Sequence, residues 1–146
     1  MDIEIRKMTL EDVESTIELC NICFEESTDI AFAKETFQKY SDDENHIYLV
    51  GLKGNKIVAH LKITIIPTIY GEMATYAILN HVCVHPDYRR EHYGTHLLDA
   101  AMNICKGKNV HSVELWSKNF RTAAHALYKK YGFIPQDAAY FKKVLD

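Results

Sequence analysis

The chain has 146 residues, 47% of them apolar and 25% charged, which is enough for one hydrophobic core and excludes a disordered chain. Its net charge of -3 and pI near 6.2 exclude a general electrostatic attraction to nucleic acid or to an anionic membrane. No apolar run approaches the roughly 20 residues that span a bilayer, and the N-terminus lacks the basic-then-apolar plan of a signal peptide, so a single cytoplasmic domain over residues 1–146 is expected.

Residues 3–9 read as a strand with Ile3 and Ile5 on one face. Thr9 with Asp12 three residues on opens a helix, along which Val13, Ile17, Cys20 and Phe24 recur at helical spacing. Asp29 is the expected N-cap of a second helix lined by Ala33, Phe37 and Tyr40. Residues 46–66 read as two strands turning at Gly54-Asn55, with Ile57, Ala59, Leu61, Ile63 and Ile65 alternating against their neighbours, and Pro67 ends the second strand.

After a turn at Tyr70-Gly71, residues 73–85 form a strand apolar on both faces near its end, as a central strand would be. Leu97, Leu98, Ala101, Met102 and Cys105 then mark a helix that Gly107 can close. A strand over 110–116, a helix carrying Ala124, Leu127, Tyr128 and Tyr131 up to Gly132, and a last strand over 138–145 complete the chain. Strands joined through helices late in the chain imply a parallel pair inside an otherwise antiparallel sheet, an α/β class with mixed topology.

The four cysteines, Cys20, Cys23, Cys83 and Cys105, sit in apolar or helical patterns and read as small buried hydrophobes in a reducing compartment. The Cys20-x-x-Cys23 spacing invites a redox or zinc reading, set aside in favour of buried hydrophobes; a structural zinc wants a second ligand pair, and none follows. His92 and His96 share an i, i+4 face without a third ligand, so no metal is expected.

Residues 85–98, HPDYRREHYGTHLL, fall where a strand delivers its carboxyl end to a helix N-terminus. Such a place offers unpaired amides and a partial positive charge. Arg89 and Arg90 add cationic reach, Thr95 a hydroxyl, and Gly94 room for close approach, a set suited to a phosphate or pyrophosphate. A solvated turn with two surface arginines is the plainer alternative.

Val84, Pro86, Arg89 and Gly94 resemble the acetyl-CoA loop of the GNAT superfamily of N-acetyltransferases, and RTAAHALYKKYGF (121–133) resembles its later helix. The resemblance implies the GNAT fold: a mixed, mostly antiparallel sheet with one splayed parallel pair and about four helices. It implies acetyl-CoA as acyl donor, with the pantetheine arm along the backbone of Val82, Cys83 and Val84. The diphosphate would lie over Arg89, Arg90, Glu91, His92, Tyr93, Gly94 and Thr95, with Asn119 as a further polar contact.

Tyr128 matches the family's general acid, with a core aromatic as its alternative reading. Many relatives carry a glutamate at about position 80, where this chain has Asn80, so proton removal falls to His81, to water or to another carboxylate. Strand alternation would put His81 and Cys83 on one face and Asn80, Val82 and Val84 on the other. His92 stands where the family has the first glycine of its pair.

The implied partner is a primary amine of a small molecule or peptide, cationic in character given the acidic stretches at 25–29 and 41–45, with no nucleic acid or membrane. Many similar proteins are homodimers. A second reading is a catalytically weak acyl-CoA-binding regulatory module, and a third is an α/β domain that binds another anion.

Overall fold

The computed structural model describes residues 2–71 and 74–146, so Met73, the expected first residue of the central strand, lies outside the described residues. The chain divides into two compact units, residues 1–116 and 117–146.

In the first unit Glu4–Lys7 form β1, Val13–Phe24 α1, Ile30–Tyr40 α2, His46–Lys53 β2, Lys56–Pro67 β3, Thr75–Val84 β4, Tyr93–Gly107 α3 and Ser112–Glu114 β5. The sheet runs β1-β2-β3-β4-β5, with every neighbour antiparallel except β4 and β5, which α3 connects in parallel. The expected mixed sheet with one parallel pair is therefore present.

Asp12 organises the entry to α1. Its Oδ2 accepts the Thr9 N–H at 2.8 Å and the Thr9 hydroxyl at 3.0 Å, and the two carboxylate oxygens take the Arg6 guanidinium at 2.6 and 3.1 Å. A short 3-10 turn over Leu10–Asp12 precedes the helix proper. The Arg6 contact above all holds the Asp12 carboxyl down at about 2. Asp12→Ala is expected to lower stability at pH 7 by about 1 to 2 kcal/mol, read by urea unfolding. Because the native carboxyl titrates below its unfolded value of 3.8, that margin is present above pH 3.8 and vanishes as the pH falls through about 2. Asp29 caps α2 as expected, its Oδ1 accepting the Ala31 N–H at 3.3 Å.

Ile57, Ala59, Leu61, Ile63 and Ile65 are all buried, which matches the alternation of β3. Val58 and His60, their neighbours on the other face, are buried too, at 0% and 4% exposure. α1 covers the His60 face, its Leu19 packing in one cluster with Val50, Leu52, Cys83 and Ile57, which the register shift at Gly51/Leu52 turns to that face out of the simple alternation. On the opposite face, a Cβ at Gly51 would stand 2.9 Å from Ile3 Cδ1 and 3.1 Å from the Ala59 Cβ, so a side chain there would require both neighbours to shift. Of the four cysteines, Cys83 and Cys105 are buried as expected, but Cys20 and Cys23 are only partly so, since α1 presents them near the rim of its apolar stripe.

The second unit contains α4, Thr122–Tyr131, closed by Gly132 in the left-handed conformation (φ 115°) with the Phe133 N–H returning to the Tyr128 carbonyl at 2.9 Å. The expected strand over 138–145 is corrected: residues 133–146 carry no strand. Period-two patterning specifies which side chains a strand would bury, not that a ladder partner is there to receive it. The expected strand over 110–116 is likewise shorter, paired only at Ser112–Glu114.

Candidate functional site

The parallel ladder joins Tyr76 to Ser112, Ala77 to Val113 and Ile78 to Glu114, and there it stops. From Leu79 to Val84 the β5-side edge of β4 has no ladder partner among the described residues, leaving backbone donors and acceptors along a gap between two parallel strands.

A bulge shapes the same stretch. Cys83 pairs with His60 and Asn80 with Lys62, so His81 and Val82 together face Leu61 alone, and His81 takes a left-handed conformation at φ 59°. The bulge overturns the simple alternation: Asn80 and Cys83, in register with Lys62 and His60, share one face of the sheet, whereas a strict period of two separates them. The His81 ring lies 6.1 Å from that of His60 at 23°. His81 is exposed at the surface, yet desolvation by its packed neighbours first, and then the Lys62 ammonium, hold its pKa below its ordinary 6.5, so the neutral ring dominates at pH 7.

Beyond Val84 the His85 ring accepts the Asp87 N–H at 3.1 Å, and Pro86–Tyr88 make a 3-10 turn. Arg89 folds back so that its Nε donates to the Val84 carbonyl at 3.0 Å, which ties the loop to the end of the strand. Arg90 and His92 both adopt left-handed conformations, at φ 68° and 64°, on either side of Glu91. Alternating handedness of this kind turns successive amides toward a common centre. His92, which stands at the first position of α3 outside the helix, is exposed and provides no side-chain cap. The first helical bond runs from His96 N–H to the His92 carbonyl at 3.1 Å, so the amides of Tyr93, Gly94 and Thr95 have no intrahelical acceptor.

The side chains sort by charge. Arg90 has no carboxylate partner among the described residues, whereas Glu91 lies 3.8 Å from the Lys53 ammonium. Tyr93 is buried and its hydroxyl donates to Asp2 at 2.8 Å, so its side chain belongs to the core while its amide belongs to the loop. Val82, Cys83, Val84 and Arg89 to Thr95 thus all lie at the junction of β4 and α3 in the first unit. Asn119, exposed in the turn before α4, and Tyr128, whose ring meets Phe133 edge-on at 5.9 Å, belong to the second unit.

One polar cluster on the Asn80 face was not legible from the sequence. Lys62 Nζ donates to His46 Nδ1 at 2.8 Å and to Thr64 Oγ1 at 2.8 Å. Counting outward from the Gly54-Asn55 turn would pair Tyr48 with Leu61, but a register shift at Gly51/Leu52 pairs it with Lys62. A cleft of about 300 Å³ with Asp42, Asp43, Glu44 and His46 in its lining opens at the other end of the sheet. Its His46 is in register with Ile78 through Thr64, six residues or about 20 Å along β4 from Val84, so the cleft and the loop do not coincide.

The family described as acetyltransferase (GNAT) matches residues 13–133. No curated protein matches the chain. Among solved structures, a transcriptional regulator from Bacillus halodurans C-125 superposes with a TM-score of 0.89 at 21% identity, over 98% of this chain and 99% of that one. Glucosamine-6-phosphate N-acetyltransferase from Arabidopsis thaliana gives 0.82 at 20% identity over the whole of both chains. A predicted acetyltransferase from Clostridium acetobutylicum, crystallised with acetyl-CoA, gives 0.78 at 19% over 97% and 96%. These likenesses are to the fold. Among the described residues no helix is long and apolar enough to cross a membrane.

Proposed function

Because the chain belongs to the GNAT family of acetyltransferases, we propose that it moves an acetyl group from acetyl-CoA to a primary amine of a small molecule or peptide by direct attack in a ternary complex. The observation that carries this reading is the junction of β4 and α3: a strand edge unpaired beyond Ile78 runs into a helix that begins without a side-chain cap, behind left-handed residues Arg90 and His92. The backbone of Val82, Cys83 and Val84 suits the amide-bearing pantetheine arm. The amides of residues 90–95 suit a diphosphate, helped by the Arg90 guanidinium. Asn119 is assigned a further polar contact on the resemblance. The family match crosses both compact units, which supports treating 1–146 as one acetyltransferase domain.

The donor supplies a thioester carbonyl; the chain must orient it and manage two protons. An amine with a pKa of about 10.4 is neutral in only about one molecule in a few thousand at pH 7, so a proton must leave before attack. His81, neutral at that pH, is assigned that proton, directly or through water. Amides on the unpaired edge of β4 would meet the negative charge that develops on the carbonyl oxygen. Tyr128 is assigned the proton that the leaving thiolate takes up. The net charge of -3 favours an acceptor that is itself cationic.

Calorimetry with acetyl-CoA, followed by a thiol-release screen over pooled amines, tests the assignment. Binding with steady thiol release supports it, and failure to bind acetyl-CoA rejects it. Arg90→Glu is expected to raise the acetyl-CoA Kd by about tenfold, the difference shrinking at high salt. A second reading, an acyl-CoA-binding module without turnover, is favoured by Asn80 where relatives carry a glutamate; binding with no thiol release for any amine would select it.

A further inference from the structure

Three of the four thiols meet at one point of the first unit. Cys20 and Cys23 on α1 pack against the buried cluster that contains Cys83 of β4. The Cys23 Sγ also donates to the Val84 carbonyl at 3.5 Å. Cys105, buried in α3, lies outside the group.

Nothing in acyl transfer uses these sulfurs. We propose that Cys20 and Cys83 are a reversible oxidation site, closing into a disulfide between α1 and β4 on exposure to a peroxide. Two observations select this pair. Cys20 and Cys23 stand one helical turn apart, where Cβ atoms are about 5 to 6 Å from each other. A disulfide holds them near 3.8 Å, so closure within the helix would strain it. Cys23 already donates to the Val84 carbonyl, which leaves Cys20 as the α1 thiol without that tie.

The order of events follows exposure. Cys20 is partly exposed and meets the oxidant first, while Cys83 is only 7% exposed and its thiol is pushed up in pKa by the neighbouring thiols and by burial. The Cys20 thiolate attacks one peroxide oxygen, the O–O bond breaks, and the sulfenic acid and a hydroxide result. The Cys83 sulfur then attacks that sulfenic sulfur, the S–S bond forms, the S–O bond breaks, and water leaves with the Cys83 proton. Two thiols lose two electrons and one peroxide becomes two waters.

Cys83 lies between Val82 and Val84. On the function proposed above, the cross-link also stiffens the strand edge that receives the acyl donor, and the oxidised chain binds acetyl-CoA more weakly.

The test is non-reducing peptide mapping of the full chain after hydrogen peroxide, with and without a dithiol reductant. The expected result is a single Cys20–Cys83 cross-linked peptide pair that the reductant abolishes, retained in Cys23→Ser and lost in Cys20→Ser and Cys83→Ala, with Cys105 still free to alkylate after denaturation. The wild-type map alone decides the matter if a Cys83 variant does not fold. Cross-links between Cys20 and Cys23, between Cys23 and Cys83 or between molecules, or conversion of Cys20 only to sulfinic acid, would overturn the proposal. The map needs no acetyl-CoA, so it stands or falls apart from the function. Equal acetyl-CoA affinity before and after a confirmed cross-link would overturn its regulatory half.

Discussion

Replacing Tyr128 by phenylalanine lowers kcat by about 10²-fold and leaves the affinity for acetyl-CoA near that of the unaltered chain. The size of the effect follows from the leaving group. A thiol of pKa near 8.5 leaves as a thiolate that water tolerates at neutral pH, and a phenol of pKa about 10 gives up its proton to it only slightly uphill in water. A thiolate that is poorly hydrated is more basic, so on the function proposed above a phenol becomes a better proton source than it is in water. Phenylalanine keeps the ring and its edge-on contact with Phe133 and removes the hydroxyl. The decisive readout is kcat set against the calorimetric Kd, together with the alkaline limb of the rate profile, which should flatten in the variant. An unaltered turnover number would remove Tyr128 from the chemistry and leave it a core aromatic.

Acidification from pH 6.5 to about 4 removes about 3 kcal/mol of folding stability through His60 alone, at about 1.4 kcal/mol per pH unit. His60 is 4% exposed in the middle of β3, and a ring nitrogen, Nδ1, lies 2.7 Å from the Leu49 carbonyl. A carbonyl only accepts, so Nδ1 carries the proton and the neutral ring is satisfied as it stands. Burial, reinforced by the adjacent His81, holds its pKa down at about 4 against the ordinary 6.5. Between those values the unfolded chain binds a proton that the folded chain refuses. Stability is therefore intact above pH 6.5 and falls as the pH drops toward 4.

His81 and His46 are shifted in the same direction, chiefly by desolvation and then by Lys62, and steepen the loss. Urea midpoints across this range measure it. His60→Gln keeps a donor for Leu49 without a titrating ring, and its curve should be shallower by His60's share. Identical acid profiles for the two chains would show that the ring does not carry the effect.

Particular elements show how far the one-dimensional pattern reaches. The period of two in β3, the Gly54-Asn55 hairpin, the Asp12 and Asp29 helix starts and the Gly132 closure were legible because each depends on residues within a turn or two of one another. The Arg89–Gly94 loop was legible for the same reason, since an Arg-rich strand-to-helix junction is a local feature. The bulge at His81-Val82, the register shift at Gly51/Leu52 and the buried His60 were not. Each depends on which strand lies alongside, and a one-residue offset exchanges the faces of everything beyond it.

By itself, then, the sequence determined the family and the kinds of element, since these rest on short-range hydrogen bonding, backbone preference and the spacing of apolar residues. Only the tertiary structure decided that β4 loses its parallel partner after Ile78, that Asn80 shares a face with Cys83, and that Cys20 and Cys23 of α1 pack against the cluster holding Cys83 of β4. Those are outcomes of long-range pairing and of helix packing on the sheet, in which each contact depends on where the rest of the chain has already settled.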